Sequence, residues 1–228
     1  MVLLLSAAIL NDTEFSFLNG SLFSAQHDYD GYGKDVAADL FVVGMYGSHQ
    51  AWYSNAATFQ SHCDVWEQWF RTNQPSLERF LYLIDESANL TATQQWAQTM
   101  KQSSGVGRYL PSFATVSYLN AQRDCPALDI ACASPSTQIT IPYAAAAKQY
   151  ATTGSYGLHA YNGGRPLTGS FCTDDDGTAL RILPWIQYKL NVSRWFYWDA
   201  VYYNNYQAAE KKRYCCKYNG PTTTPKSM

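Results

Sequence analysis

The sequence predicts an α/β protein built on a parallel sheet, with the pattern of a (β/α)8 barrel of the TIM type that lacks two of its strands. Three observations lead there. Short apolar runs alternate with longer segments of helical period along residues 40–200. None of the two-residue turns that join antiparallel neighbours lies between the runs, so each return passes through a crossover, as parallel strands require. Polar or aromatic residues close nearly every run, and in barrels that end of the strand is where active sites assemble. An open doubly wound sheet is the alternative, but no G-x-G-x-x-G or Walker A segment follows any run.

The first run is LFVVGMYG, residues 40–47, ending near Tyr46. CDVWEQWFRTN follows, in which Val65, Trp66, Trp69 and Phe70 recur at helical spacing, and Pro75 marks the exit. The second run, RFLYLIDE (79–86), carries apolar residues straight into Asp85 and Glu86. TATQQWAQTMKQS then reads as a helix, with threonine at its start and Gly105 shortly after its end. SFATVSYLN (112–120) and ALDIACAS (127–134) are the next two strand-like runs. The alanine-rich IPYAAAAKQYATTG reads as a helix ending at Gly154, with Pro142 tolerated in its first turn. YGLHAYNG (156–163) is the fifth run, DGTALRILPWIQYKLN the last helix and SRWFYWDA (193–200) the sixth run. Six strands do not close an eight-stranded barrel, so the first two are expected to be missing or irregular. A single barrel-like domain over residues 1–210 and a disordered tail over 211–228 follow from where the pattern stops.

Composition narrows the partners. Charged residues make up 15% of the 228 and net charge is −2 without basic blocks, which argues against nucleic acid. Aromatic residues reach 15%, including 18 Tyr and 7 Trp, and such amphipathic rings suit sugars as well as cores. The opening MVLLLSAAIL is too short to span a bilayer, so no membrane span is expected; it reads either as a signal h-region or as a buried helix. Six cysteines form no C-x-x-C pair and the four histidines are scattered, so neither a zinc site nor a cofactor is expected. Cys132 reads as a buried thiol, and Cys125 and Cys172 as loop cysteines free to pair. N-x-S/T sequons at Asn11, Asn19, Asn89 and Asn191, with the cysteines, point to a secreted or extracellular glycoprotein.

GTALRILPWIQYKLNVSRWFYWD (177–199) resembles a pattern of glycoside hydrolase family 123 and the related domain-of-unknown-function family 4091. There an Arg-x-x-x-Trp helix precedes a last strand ending in Tyr-Trp. The matching residues here are Arg181, Leu183, Pro184, Trp185, Tyr197 and Trp198. FLYLIDE looks like that family's strand ending in an Asp-Glu pair, and GLHAYNG lies where it has a Trp- and Tyr-rich strand. The resemblance implies a (β/α)8 barrel in which RFLYLIDE is the fourth strand, LFVVGMY the third and SRWFYWD the eighth. It also implies substrate-assisted cleavage of N-acetyl-hexosaminides, with Glu86 as general acid/base and Asp85 orienting the 2-acetamido group. Tyr46, Tyr118, Tyr161 and Trp198 are candidate sugar contacts, and Asn162 and Asp199 candidate polar contacts at the strand ends. His159 alternates with Tyr161 and shares its face. Arg181 and Trp185 read as outer-layer packing.

Two competing readings remain open. Asp85 could cap the following helix while Glu86 is merely solvated. The whole could also be a non-catalytic carbohydrate-binding protein or a truncated barrel, whose open sheet would expose two edges. Consecutive strand residues point to opposite faces, so Asp85 and Glu86 can serve one substrate only if the chain leaves strand geometry between them.

Overall fold

The computed structural model describes residues 15–16, 18–44, 50–134, 158–164, 168–170 and 175–197. The chain forms two compact units, residues 1–116 with 120–131, and residues 117–119 with 132–228. Six strands, β1 (Leu40–Val43), β2 (Glu78–Ile84), β3 (Ser112–Thr115), β4 (Ile130–Ala133), β5 (Leu158–Tyr161) and β6 (Val192–Phe196), follow one another in the sheet in chain order. The architecture is therefore α/β with a parallel sheet. A doubly wound sheet reverses its strand order at a switch point, and this order does not reverse. It is compatible with an incomplete barrel.

In the first unit, β1 pairs in parallel with β2, Val42 opposite Phe80, and β2 with β3. Helix α1 (Ala56–Asn73) starts at Asn55, whose side-chain oxygen accepts the Thr58 N–H at 2.9 Å, the usual use of an N-cap amide. Its buried stripe is Phe59, Cys63, Glu67 and Phe70, one residue per turn. Val65, Trp66 and Trp69 are only half-buried, so the expected stripe is displaced by part of a turn. Trp66 nonetheless stacks on Phe41 of β1 at 5.8 Å and on Phe70 at 5.9 Å. Burial pushes the Cys63 thiol up to about 12, with the neighbouring Asp64 charge adding to the shift.

A charged residue in that stripe demands partners, and Glu67, 1% exposed, has two. Its carboxylate accepts from Arg71 Nε at 2.8 Å and from Arg79 Nη2 at 2.8 Å and Nε at 3.1 Å. Arg79, near the start of β2, also donates to the carbonyls of Pro75 and Leu77. Every oxygen of a buried carboxylate is thus matched to a donor, the condition under which burial of a charge is tolerated.

Helix α2 (Leu90–Lys101) is capped by Asn89, which accepts the Ala92 N–H at 3.1 Å, two residues before the threonine expected at its start. After it, the 3-10 turn Val106–Tyr109 lies under α1, where the Gly107 N–H donates to Asp64 Oδ1 at 2.6 Å. A Cβ at Gly107 would stand 2.6 Å from the Asp64 backbone nitrogen, so only glycine permits this approach. Asp129, ahead of β4, accepts from the N–H and hydroxyl of Ser112 and pairs with Lys101 at 3.0 Å.

The run at 112–120 is shorter than expected: β3 stops at Thr115, and Tyr118 begins a helix, α3 (Tyr118–Asp124), that the sequence reading lacks. Likewise β4 occupies only the later part of 127–134. Cys125 is a buried free thiol with its sulfur 3.4 Å from the Leu90 carbonyl, and Cys63 and Cys132 are also free and buried. Cys125 is therefore no open loop cysteine; Cys172 lies outside the described residues.

In the second unit, β5 pairs in parallel with β4 and β6. Helix α4 (Gly177–Leu190) is capped by Asp176, which accepts the Thr178 N–H at 3.0 Å. It ends at Asn191 in the left-handed conformation, φ 54°, and β6 begins at the next residue. It buries Ala179 and Leu183, and Gly169 approaches Ala179 so closely that a Cβ would overlap it. Trp185 is 73% exposed and Arg181 is exposed as well, so neither is the outer-layer packing expected of it. The helix expected at 141–154 and the tail at 211–228 lie outside the described residues.

Among the described residues, no helix is long and apolar enough to cross a membrane, and no group of His, Cys, Asp and Glu is gathered as metal ligands would be.

Candidate functional site

The acid pair stands where β2 loses its regularity. The β2–β3 register shifts between Tyr82 and Ile84, and two residues later Glu86 takes a left-handed backbone, φ 40°. A non-glycine residue there costs about 1–2 kcal/mol and needs support from its surroundings. Strand alternation is thus broken twice around the two acids, the departure that a shared substrate would require of them.

The support comes from the neighbouring strand. Thr115, the last residue of β3, donates its hydroxyl to Asp85 Oδ1 at 2.9 Å and with the same oxygen accepts the Glu86 N–H. Tyr82 adds a second hydroxyl donor to Asp85 Oδ1 at 2.7 Å. Its ring lies 4.9 Å from Phe113, which stacks on Phe80 at 4.5 Å, so the donor is carried on a packed aromatic base. Tyr53 braces the strand from the helical side. Its hydroxyl donates to the Leu83 carbonyl, and its ring packs on Trp96 at 4.7 Å and Phe59 at 5.2 Å. Burial, with a smaller contribution from the Cys63 thiol, pushes the Tyr53 hydroxyl far above the ordinary phenolic range, so it remains a donor at any physiological pH.

Asp85 does not cap the helix that follows; Asn89 does, and its own N–H is taken by Ser87 Oγ at 3.0 Å. Both Asp85 and Glu86 are exposed. With two donors on one oxygen, Asp85 retains lone pairs for a third partner. The first unit thus offers two adjacent carboxylates, one oriented by hydroxyls, able to accept hydrogen bonds from a polar ligand and to exchange a proton with it.

The other expected residues fall elsewhere. Tyr118 is 2% exposed, and its hydroxyl donates to the His159 carbonyl, so it is a core residue and offers no face for stacking. His159 is buried with its ring 5.7 Å from Phe196. Tyr161 and Asn162 are half-buried at the end of β5. Asn162 has φ 55°; its N–H donates to the Phe196 carbonyl at 2.8 Å, and its carbonyl accepts from the Trp195 indole. These four belong to the second unit and the acid pair to the first. Tyr46, Trp198 and Asp199 lie outside the described residues.

Thr115, Tyr82 and Tyr53 were not singled out in the sequence. Tyr82 had a signal, three residues before Asp85 at the end of an apolar run. Thr115 had no such signal, lying inside the next run, and gains its place only once β3 is seen to end there beside β2.

No family model, no curated protein and no solved structure matches the chain.

Proposed function

We propose that the protein is a carbohydrate-active, hexosaminidase-like glycoside hydrolase built on a TIM-type barrel segment. The motifs at 79–86 and 177–199 support this reading. The observation that carries it is the Asp85–Glu86 turn, in which a hydroxyl-oriented carboxylate is followed by one whose backbone has left the strand.

In this reading Glu86 protonates the glycosidic oxygen while the 2-acetamido oxygen of the sugar attacks the anomeric carbon, and the C–O bond to the leaving alcohol breaks. Asp85 accepts the acetamido N–H, which aims the attacking oxygen and stabilises the positive charge that spreads over the cyclised group. Water then opens the oxazolinium-type intermediate, and Glu86 takes up the proton it releases. The cycle balances without a cofactor.

The test is hydrolysis of aryl N-acetyl-β-hexosaminides by the purified chain. Glu86→Gln is expected to lower kcat by about 10²–10⁴-fold, the range for a positioned general acid, and Asp85→Asn to act most strongly on substrates bearing the acetamido group. A folded protein that shows no turnover and no sugar binding would overturn the proposal.

A second reading, sugar binding without turnover, is favoured by the exposure of both carboxylates, which suits hydrogen bonding to sugar hydroxyls as well as proton transfer. Calorimetric binding with no hydrolysis would select it. Secretion and glycosylation belong to the same proposal. The sequon asparagines Asn19, Asn89 and Asn191 are all exposed, as are the hydroxyl residues Ser21, Thr91 and Ser193 that complete them.

A further inference from the structure

We infer that Thr115 is a positioning residue that holds the two carboxylates in their working turn, a role that rests on the reading of Asp85 and Glu86 given above. A threonine hydroxyl has one proton to give and two lone pairs to receive. Here the proton goes to Asp85 Oδ1 at 2.9 Å and a lone pair takes the Glu86 N–H, so one oxygen fixes a side chain and the next residue's backbone together.

Three further facts favour this assignment. Thr115 is 8% exposed, so its hydroxyl is largely withdrawn from water and each bond it makes is harder to replace by solvent. It lies on a different strand from the acids, so its bonds tie the turn to β3 rather than to itself. The backbone it supports is left-handed at a residue with a side chain, a conformation that relaxes unless something holds it. Tyr82 supports the Asp85 side chain, whereas Thr115 holds both residues.

The substitution Thr115→Val keeps the shape of the side chain and removes both bonds. In the intact chain, amide exchange at Glu86 followed by NMR is expected to be at least about tenfold slower than in an unstructured peptide and to accelerate by about tenfold in Thr115→Val. Thr115→Ser, which keeps the hydroxyl, restores the slow rate, and Tyr82→Phe leaves it unchanged. Exchange at Glu86 in the parent protein at the peptide rate would overturn the inference without any variant, as would an unmoved rate in folded Thr115→Val.

Turnover is the second measurement. Thr115→Val is expected to lower kcat on the aryl hexosaminide about tenfold or more with KM within about threefold, because a lost orientation acts on the transition state. An amide that responds in a protein without turnover removes the hydrolase reading and leaves Thr115 as the holder of the turn. Turnover with an unresponsive amide removes Thr115 and leaves the hydrolase.

Discussion

The two ends of β2 treat acids in opposite ways. At its start Arg79 reaches Glu67, a carboxylate 1% exposed and surrounded by guanidinium donors from two directions. Past its end Asp85 and Glu86 are exposed, and the donors on Asp85 are neutral hydroxyls. Charge is cancelled at one end and left accessible at the other. In (β/α)8 barrels the amino ends of strands serve stability and the carboxyl ends carry active sites, and here the seven residues of β2 run from a buried ion pair to two exposed acids.

Breaking the buried end should have the larger consequence. Glu67→Gln leaves Arg79, whose side chain is 16% exposed, facing a neutral amide. The expected loss is about 3 kcal/mol of unfolding free energy in a denaturant titration. A loss under about 1 kcal/mol would mean that water reaches the arginines, and the contrast between the two ends would dissolve.

Alkali should also strike the buried side first. The Cys63 thiol, one turn before Glu67, is raised to about 12 by burial and by Asp64. The folded state holds the protonated form more tightly than the unfolded state does. Its contribution is therefore complete below the ordinary thiol value of 9.0 and lost as pH rises from there through about 12. Stability measured across that window in Cys63→Ala should fall less steeply than in the parent, and native Cys63 should resist alkylation at pH 8.

The exposed end should respond more gently. Asn89→Ala removes the cap of α2 and should cost about 1 kcal/mol by thermal or chemical unfolding. At Glu86 the backbone, rather than the charge, should set the stability. Glu86→Gly is expected within about 0.5 kcal/mol of the parent, whereas Glu86→Val, β-branched at φ 40°, should cost about 1–2 kcal/mol. Equal stability of these two variants would show that the turn is not held in the left-handed form.

The same contrast explains what could be read from the sequence. Each of the six apolar runs overlaps a strand, most plainly at β3 and β4, which are buried throughout and so need an unbroken apolar stretch. The short helix from Tyr118 is not legible in the sequence because Tyr118 and Leu119 continue the apolar texture of β3, although the strand ends at Thr115 and its partners on β2 face Ser112–Ala114. Glu67 gave no warning amid tryptophans and phenylalanine, since its partner Arg79 lies twelve residues on and on another element. The acids at 85 and 86 were conspicuous, being charges at the end of an apolar run. Their helper Thr115 was not, because a hydroxyl thirty residues away acquires its role only through strand register. The cap belongs to Asn89 rather than to Asp85 because the irregular turn at Glu86 delays the helix.

Helix α4 and strand β6 are joined by Asn191 alone. A joint of one residue leaves little slack between the last turn of the helix and the first pair of the strand. One residue inserted after Asn191 would move Val192 from its partner Leu158 and reverse the facing of Ser193 through Phe196, so the length of this connection is as much a part of the sheet's specification as the strands themselves.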